Sequence, residues 1–285
     1  MISIIIPVGD GRDDNLDLCL YALRLQTYGD FEIVVAADGD HGVAGVLYSH
    51  RNHIPITYYH RRRDTHNLGA VNRNVGAKLA RGQFLLFIDS DVVLNPRALE
   101  FYAEDFRDFP QRAIAGPYHW CAPMRVWRDD IQDWERFAAQ AMDLMTKPKA
   151  ELDPLGFKLN HNIGLDSRKA WTEGAHPEDV YSADYPRALM LLSGNMAISR
   201  QLFEYAGGFW EEISRGIDGA FGLALAEAGG SYSFDPRCYG LHLYHDRSDF
   251  AKLPDPLPKI IERFHQNPSR IGRMETGGTW PWRGK

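Results

Sequence analysis

The sequence predicts an α/β domain with a mostly parallel, doubly wound central sheet and helices on both faces. Three observations carry that expectation. Short apolar runs of strand length recur through the amino-terminal third, stretches with helical apolar spacing separate them, and aspartates stand just past the strand ends. Residues 2–8 (ISIIIPV) are a continuous run of the kind buried on both faces, with Pro7 expected to end its ladder. Leu16, Leu20 and Leu23, with Leu18 and Leu25 beside them, form a helical stripe behind Asp13 or Asp14 as cap. FEIVVAADGD then repeats the strand-and-turn pattern. Residues 41–51 read as a helix, 55–60 as a third strand, 69–80 as a second well-marked helix and 83–88 as a fourth strand, with another helix from about Pro96. In such a sheet ligands bind outside the carboxyl ends of the strands. The chemistry is therefore expected there.

Composition narrows the class. With 285 residues, 44% of them hydrophobic and 25% charged, the chain can bury one large core with an appended subregion. A formal net charge of −6 argues against a protein held by nucleic-acid phosphates. Cys19, Cys121 and Cys238 form no C-x-x-C pair, which fits a reducing compartment. The apolar run of MISIIIPV is too short for a signal sequence, and no window reaches the about 18 apolar residues of a membrane span. The expectation is a cytoplasmic protein without a transmembrane segment, with peripheral membrane contact left open and no oligomeric state indicated.

The most informative stretch is FLLFIDSDVVLN, residues 84–95. A buried strand runs into Asp89 and Asp91, whose repulsion and desolvation both cost free energy. In an extended segment residues two apart project to one side, so both carboxylates would meet a shared partner. Mg²⁺ or Mn²⁺ suits them, because hard cations take carboxylate oxygens and share their remaining positions with water and phosphates. The plainer alternative is an Asx turn capping the next helix. Upstream, NLGAVNRNVGAKLARG (67–82) places Asn72, Arg73 and Asn74 near the amino end of a helix, where they can reach phosphate or base or simply face water. No G-x-G-x-x-G or G-x-x-x-x-G-K-[ST] occurs, which disfavours dinucleotide enzymes and P-loop NTPases.

These segments, SIIIPV, EIVVAADGD, NLG…NRNVGAKLARG and FLLFIDSDV, resemble in order and spacing the GT-A nucleotide-sugar glycosyltransferases, particularly family 2. A second block, SGNMAISRQLFEYAGGFWEEISRGIDGAFGLALAEAG (193–229), resembles the carboxyl-terminal galactosyltransferase-type segment of chondroitin-type polymerases and polypeptide GalNAc-transferases. The resemblance implies a GT-A (Rossmann-like) fold, with residues 1–120 as the donor half and 121–285 as the acceptor half and tail.

The resemblance also implies roles. Pro7 and Asp38 stand where the family holds the nucleotide base, although the usual Asp-Asp-Gly-Ser is here Ala37-Asp38-Gly39-Asp40. Asn67, Arg73 and Asp89 join them as donor-binding candidates. Asp89 and Asp91 match the metal-binding D-x-D. His245, in GLHLYHD, is the better match to a metal-completing histidine than His242. Asp218, in Gly216-Ile217-Asp218, stands at the position of the general base that takes the acceptor's proton if the reaction inverts; a helix N-cap is its plainer role. Trp210, Glu211 and Glu212 are acceptor-binding candidates, with core packing as the blander role for Trp210.

The implied activity is metal-dependent transfer of a sugar from a nucleoside-diphosphate donor, a UDP-sugar foremost, to a hydroxyl acceptor in glycan or polysaccharide biosynthesis. A retaining transferase and a non-catalytic nucleotide-sugar binding or assembly subunit are the alternatives. Residues 126–145 read as one long helix, 147–188 as a long segment able to close over the site, and 260–265 as a short helix in the tail.

Overall fold

The computed structural model describes residues 1–9, 11–38, 42–62, 68–121, 124–146, 181–182, 191–245 and 254–264. Within them β1 (Ile2–Val8), β2 (Phe31–Asp38), β3 (Ile56–Arg61) and β4 (Phe84–Ile88) are parallel neighbours in the order β3-β2-β1-β4. The helices that return the chain are α1 (Asp13–Arg24), α2 (Val43–His50) and α3 (Leu68–Leu79). This is the expected alternation, and it fixes the faces. Ile2, Ile4, Ile6 and Val8 enter one core with Leu16, Leu20 and Leu23 of α1, whereas Ile5 enters the other with Ala70 and Ala77 of α3. Gly76 lets α3 approach, since a Cβ there would lie 2.4 Å from Ile5.

Pro7 does not end β1. Pairing with β2 continues through Pro7↔Ala36 to Val8↔Ala37, while pairing with β4 stops at Ile5↔Phe87. A proline lacks one donor but keeps its carbonyl, so only part of its ladder is lost.

Past β4 the sheet becomes mixed. β9 (Asn195–Ser199) runs antiparallel between β4 and β6 (Arg112–Ala115), followed by β10 (Ser231–Phe234) parallel to β6 and β8 (Tyr181–Ser182) at the far edge. A smaller sheet, in the order β5-β11-β7, joins β5 (Val92–Leu94), β7 (Tyr118–Trp120) and β11 (Gly240–His242). None of these three short strands was expected, and β5 delays the next helix, α4 (Ala98–Asp108), to Ala98.

The single helix expected over 126–145 is two helices, α5 (Arg128–Gln132) and α6 (Trp134–Thr146). Asp133 leaves helical geometry between them and accepts from Arg136 N–H at 3.4 Å, while Asp130 Oδ2 accepts from Trp127 N–H at 2.8 Å. Each aspartate competes for backbone donors as a cap, and the helix restarts. Among the described residues the other α-helices are α7 (Arg200–Tyr205), α8 (Ile217–Glu227) and α9 (Leu257–Phe264). Ile260 and Phe264 of α9 pack on Ala220 and Leu223 of α8. The segment expected to close over the site falls outside the described residues except at 181–182, as do residues 265–285.

Candidate active site

The carboxyl end of β4 and the amino end of the reversed strand β9 meet at one place. Asn195 lies opposite Ile88, and Asp89 N–H donates to Gly194 O at 3.2 Å. Gly194 must be small, because a Cβ there would come 2.9 Å from Asp89 Oδ2 and 3.1 Å from the Tyr118 ring.

Asp89 and Asp91 do not lie on an extended segment. Val92 N–H donates to Asp89 O at 3.1 Å, which closes a turn and gives the two carboxylates different partners. Asp89 Oδ1 accepts from the guanidinium of Arg73, a buried residue of α3. Arg73 thus reaches the turn after β4 through Asp89. Burial pushes the Asp89 carboxyl up against the opposing pull of Arg73, and the charges of Asp91 and Asp218 add to the rise. Neither aspartate caps the following helix, whose Arg97 N–H is accepted by Asn95 Oδ1 at 3.0 Å.

Asp91 belongs to the other group. Leu243 N–H donates to Asp91 O at 2.7 Å, and the β5–β11 register sets His242 opposite Val92. His242 Nε2 lies 3.3 Å from Asp91 Oδ1, and His245 Nε2 lies 3.0 Å from Oδ2. His242 Nδ1 is 3.1 Å from Leu243 O, and a carbonyl can only accept, so Nδ1 donates there and Nε2 is the nitrogen turned to Asp91. Asp91 Oδ1 is buried without a hydrogen-bond partner. A buried carboxylate oxygen left without a partner costs free energy, which a bound cation would offset. Burial opposes ionisation of Asp91, yet the two imidazoles hold its carboxyl far below the usual range. Ligand atoms of Asp91, His242 and His245 lie within 4.8 Å of one another, so this carboxylate–imidazole set fits a divalent transition metal. Sequence reasoning singled out His245 and passed over His242, whose signal was its place three residues earlier in the same motif.

Asp218, in α8, lies close enough to Asp89 for its charge to act on that carboxyl. Its Oδ1 accepts from Ser193 N–H at 3.1 Å and from the Ser193 hydroxyl. The N-cap position belongs to Gly216 (φ 71°), which makes no side-chain cap, so Asp218 is not the cap of its helix. Two hydrogen bonds from one serine aim the carboxylate while Oδ2 takes none from a described residue.

Other candidates take varied places. Asp38 is buried at the end of β2 and accepts from Asn72 Nδ2 at 2.9 Å, and Pro7 lies beside Ala36 in the register. Asn74 Nδ2 donates to Glu211 Oε1 at 2.7 Å, and its side chain also bridges both backbone groups of Phe209. Consecutive residues 72, 73 and 74 of α3 thus tie the β2 end, the β4 end and the loop before α8 to one helix. Glu212 is exposed, and its carbonyl accepts from Lys259 at 3.0 Å. Trp210 is partly buried against the α8–α9 cluster beneath Arg263, with its indole nitrogen buried. Asn67 lies outside the described residues.

Residues 3–162 match the family model Glycosyl transferase family 2. The chain is 26% identical over 249 residues to hyaluronan synthase of Pasteurella multocida, covering 86% of this chain and 24% of that protein. It is 23% identical over 232 residues to chondroitin synthase of Escherichia coli, covering 80% of this chain and 32% of that protein. The chain therefore spans only a quarter to a third of these curated relatives. Among solved structures, S. aureus TarS 1-349 in complex with UDP-GlcNAc aligns with a TM-score of 0.65 at 15% identity, over 95% of this chain and 66% of that one, a likeness of fold.

Proposed function

Because the chain belongs to glycosyl transferase family 2, we propose that it transfers a sugar from a nucleoside-diphosphate donor, a UDP-sugar foremost, to a hydroxyl acceptor, with inversion and with Mn²⁺ or Mg²⁺. One observation carries the reading. The buried Asp91–His242–His245 group, the Arg73–Asp89 pair and the Ser193-held Asp218 converge where β4 meets β9. Alignment of the chain with polysaccharide synthases beyond residue 162 supports a polysaccharide or glycan product. The TarS complex with UDP-GlcNAc supports the choice of a uridine donor.

Asp91, His242 and His245 would hold the metal, and when bound it supplies Lewis-acid stabilisation of the charge that develops on the leaving diphosphate. The imidazole share of this set favours Mn²⁺ over Mg²⁺. Arg73 keeps the Asp89 carboxylate oriented at the same rim. Asp38, fixed by Asn72, accepts a hydrogen bond from the base. Asp218 removes the acceptor's proton at Oδ2, while Ser193 neutralises part of the charge on Oδ1. Residues 1–120 serve the donor and 121–285 the acceptor, and the reaction runs in the cytoplasm. The three cysteines, all free and buried, are compatible with reducing conditions.

The first test is a donor screen with UDP-, GDP-, dTDP- and CMP-sugars, with Mn²⁺ or with a chelator, read as nucleotide release and thermal stabilisation. Release from one nucleotide class, lost with chelator and in Asp91→Ala, is expected. Binding without turnover of any donor would favour a nucleotide-sugar binding subunit instead. Anomeric analysis of the product separates inversion from retention.

A further inference from the structure

A cavity of about 1230 Å³ lies between α1, α2, α5 and the Leu243–Tyr244 segment. That segment joins His242 to His245, so the cavity wall is the backbone that carries the proposed metal ligands. Building on the transferase reading, we infer that this cavity is a binding trough for an uncharged saccharide acceptor.

Its size exceeds the roughly 300–1,000 Å³ usual for one small ligand, which leaves room for several sugar units. Part of its lining is held in place by hydrogen bonds. Asp17 is held by Arg128 Nε at 2.8 Å and lies 3.0 Å from the fully buried His50, and Asp13 Oδ2 accepts from Gly42 N–H at 3.0 Å. Asp14 on α1 and Asp129 on α5 also line the cavity; both are exposed and have no side-chain partner among the described residues. Two exposed carboxylates on the neighbouring helices α1 and α5 match the hydroxyl donors along the edge of a sugar chain. Trp127, 55% exposed, lines the same space with Arg125 4.2 Å from its ring, and its free face can stack on the apolar C–H face of a pyranose. Met124, Val126 and Leu18 supply apolar floor.

Charge selects among saccharides. The lining carries five aspartates against two arginines, a negative field that repels uronate, sulfate and phosphate groups. The donor's diphosphate is disfavoured there for the same reason. An uncharged oligosaccharide, neutral along its length and rich in hydroxyl donors, fits size, ring and field together.

The test is saturation-transfer NMR on the whole chain with chitotetraose and cellotetraose as neutral probes and a hyaluronan tetrasaccharide as the charged one. A neutral probe is expected to bind more tightly than the charged one, with affinity falling about tenfold in Trp127→Ala, the scale of one lost aromatic contact. Asp129→Lys should weaken the neutral probe and strengthen the charged one. Trp127 is exposed, and an unchanged melting temperature would confirm that its variant folds. Failure of both neutral probes to bind, tighter binding of the charged probe, or unchanged affinity in Trp127→Ala overturns the assignment, as does displacement of a neutral probe by UDP. The transferase reading is scored separately by donor release. Saccharide binding without donor turnover would sink that reading and spare the trough, while donor turnover without any saccharide binding would do the reverse.

Discussion

Arg73, inside α3, holds the carboxylate of Asp89 at the end of β4, and the two form an ion pair in which the arginine side chain is only 8% exposed. The guanidinium has left water and Asp89 is only partly exposed, so neither tolerates the loss of the other well. Arg73→Met should cost about 3 kcal/mol of stability, the lower end for a broken buried pair because Asp89 keeps a partly open side. Urea unfolding of Arg73→Met, Asp89→Asn and the double variant checks this. Additive losses would mean that the pair is not coupled.

Asp91 joins two imidazoles that come from the end of β11 and the turn beyond it. His242→Ala and His245→Ala should each weaken Mn²⁺ binding by more than about tenfold, or 1.4 kcal/mol, and Asp91→Asn should abolish it. Calorimetric titration of the protein with Mn²⁺ reads this directly. Unchanged affinity in His242→Ala would reduce the set to Asp91 and His245.

Much of this arrangement was legible in the sequence, and the part that was not has a physical cause. β1, β2 and β4 are buried on both faces, so they appear as unbroken apolar runs, and their ends marked Asp38, Asp89 and Asp91. β5, β7 and β11 have three residues each, too few for any periodicity, yet their pairing is what brings His242 to Asp91. Arg73 could be placed on a polar helix face from spacing alone. That the face meets the end of β4 depends on how α3 packs, which no local pattern encodes. Asp218 was read through its motif, but Ser193, its anchor, lies 25 residues away and gave no signal.

Asp218 and Ser193 should separate by variant. Asp218→Asn keeps the shape and removes the base, so turnover should fall by about 10²- to 10⁴-fold with little change in donor binding. Ser193→Ala loosens the carboxylate without removing it, and a smaller loss, about tenfold, is expected. Single-turnover assays with a UDP-sugar would measure both. Full activity in Asp218→Asn would exclude it as the base and open the retaining alternative.

Away from the site, Asp105 of α4 and Asp235 of the loop after β10 form a carboxyl pair with a pH signature. Arg237 binds Asp235 through two nitrogens, at 2.7 and 2.9 Å, and approaches Asp105 only to 3.6 Å. Burial, reinforced by the charge of Asp235, therefore prevails and pushes the Asp105 carboxyl up from 3.8 to about 8. The folded state then holds a proton that the unfolded chain releases. The resulting stabilisation is complete below pH 3.8 and is lost progressively as pH rises to about 8. Within that window its slope is at most about 1.4 kcal/mol per pH unit. Asp105→Asn keeps an N–H donor toward Asp235 and does not ionise, so its stability relative to the parent should climb between pH 5 and 8 and level off above. Denaturant titrations of both proteins at each pH measure the difference, and parallel profiles would show that Asp105 is ionised in the folded protein.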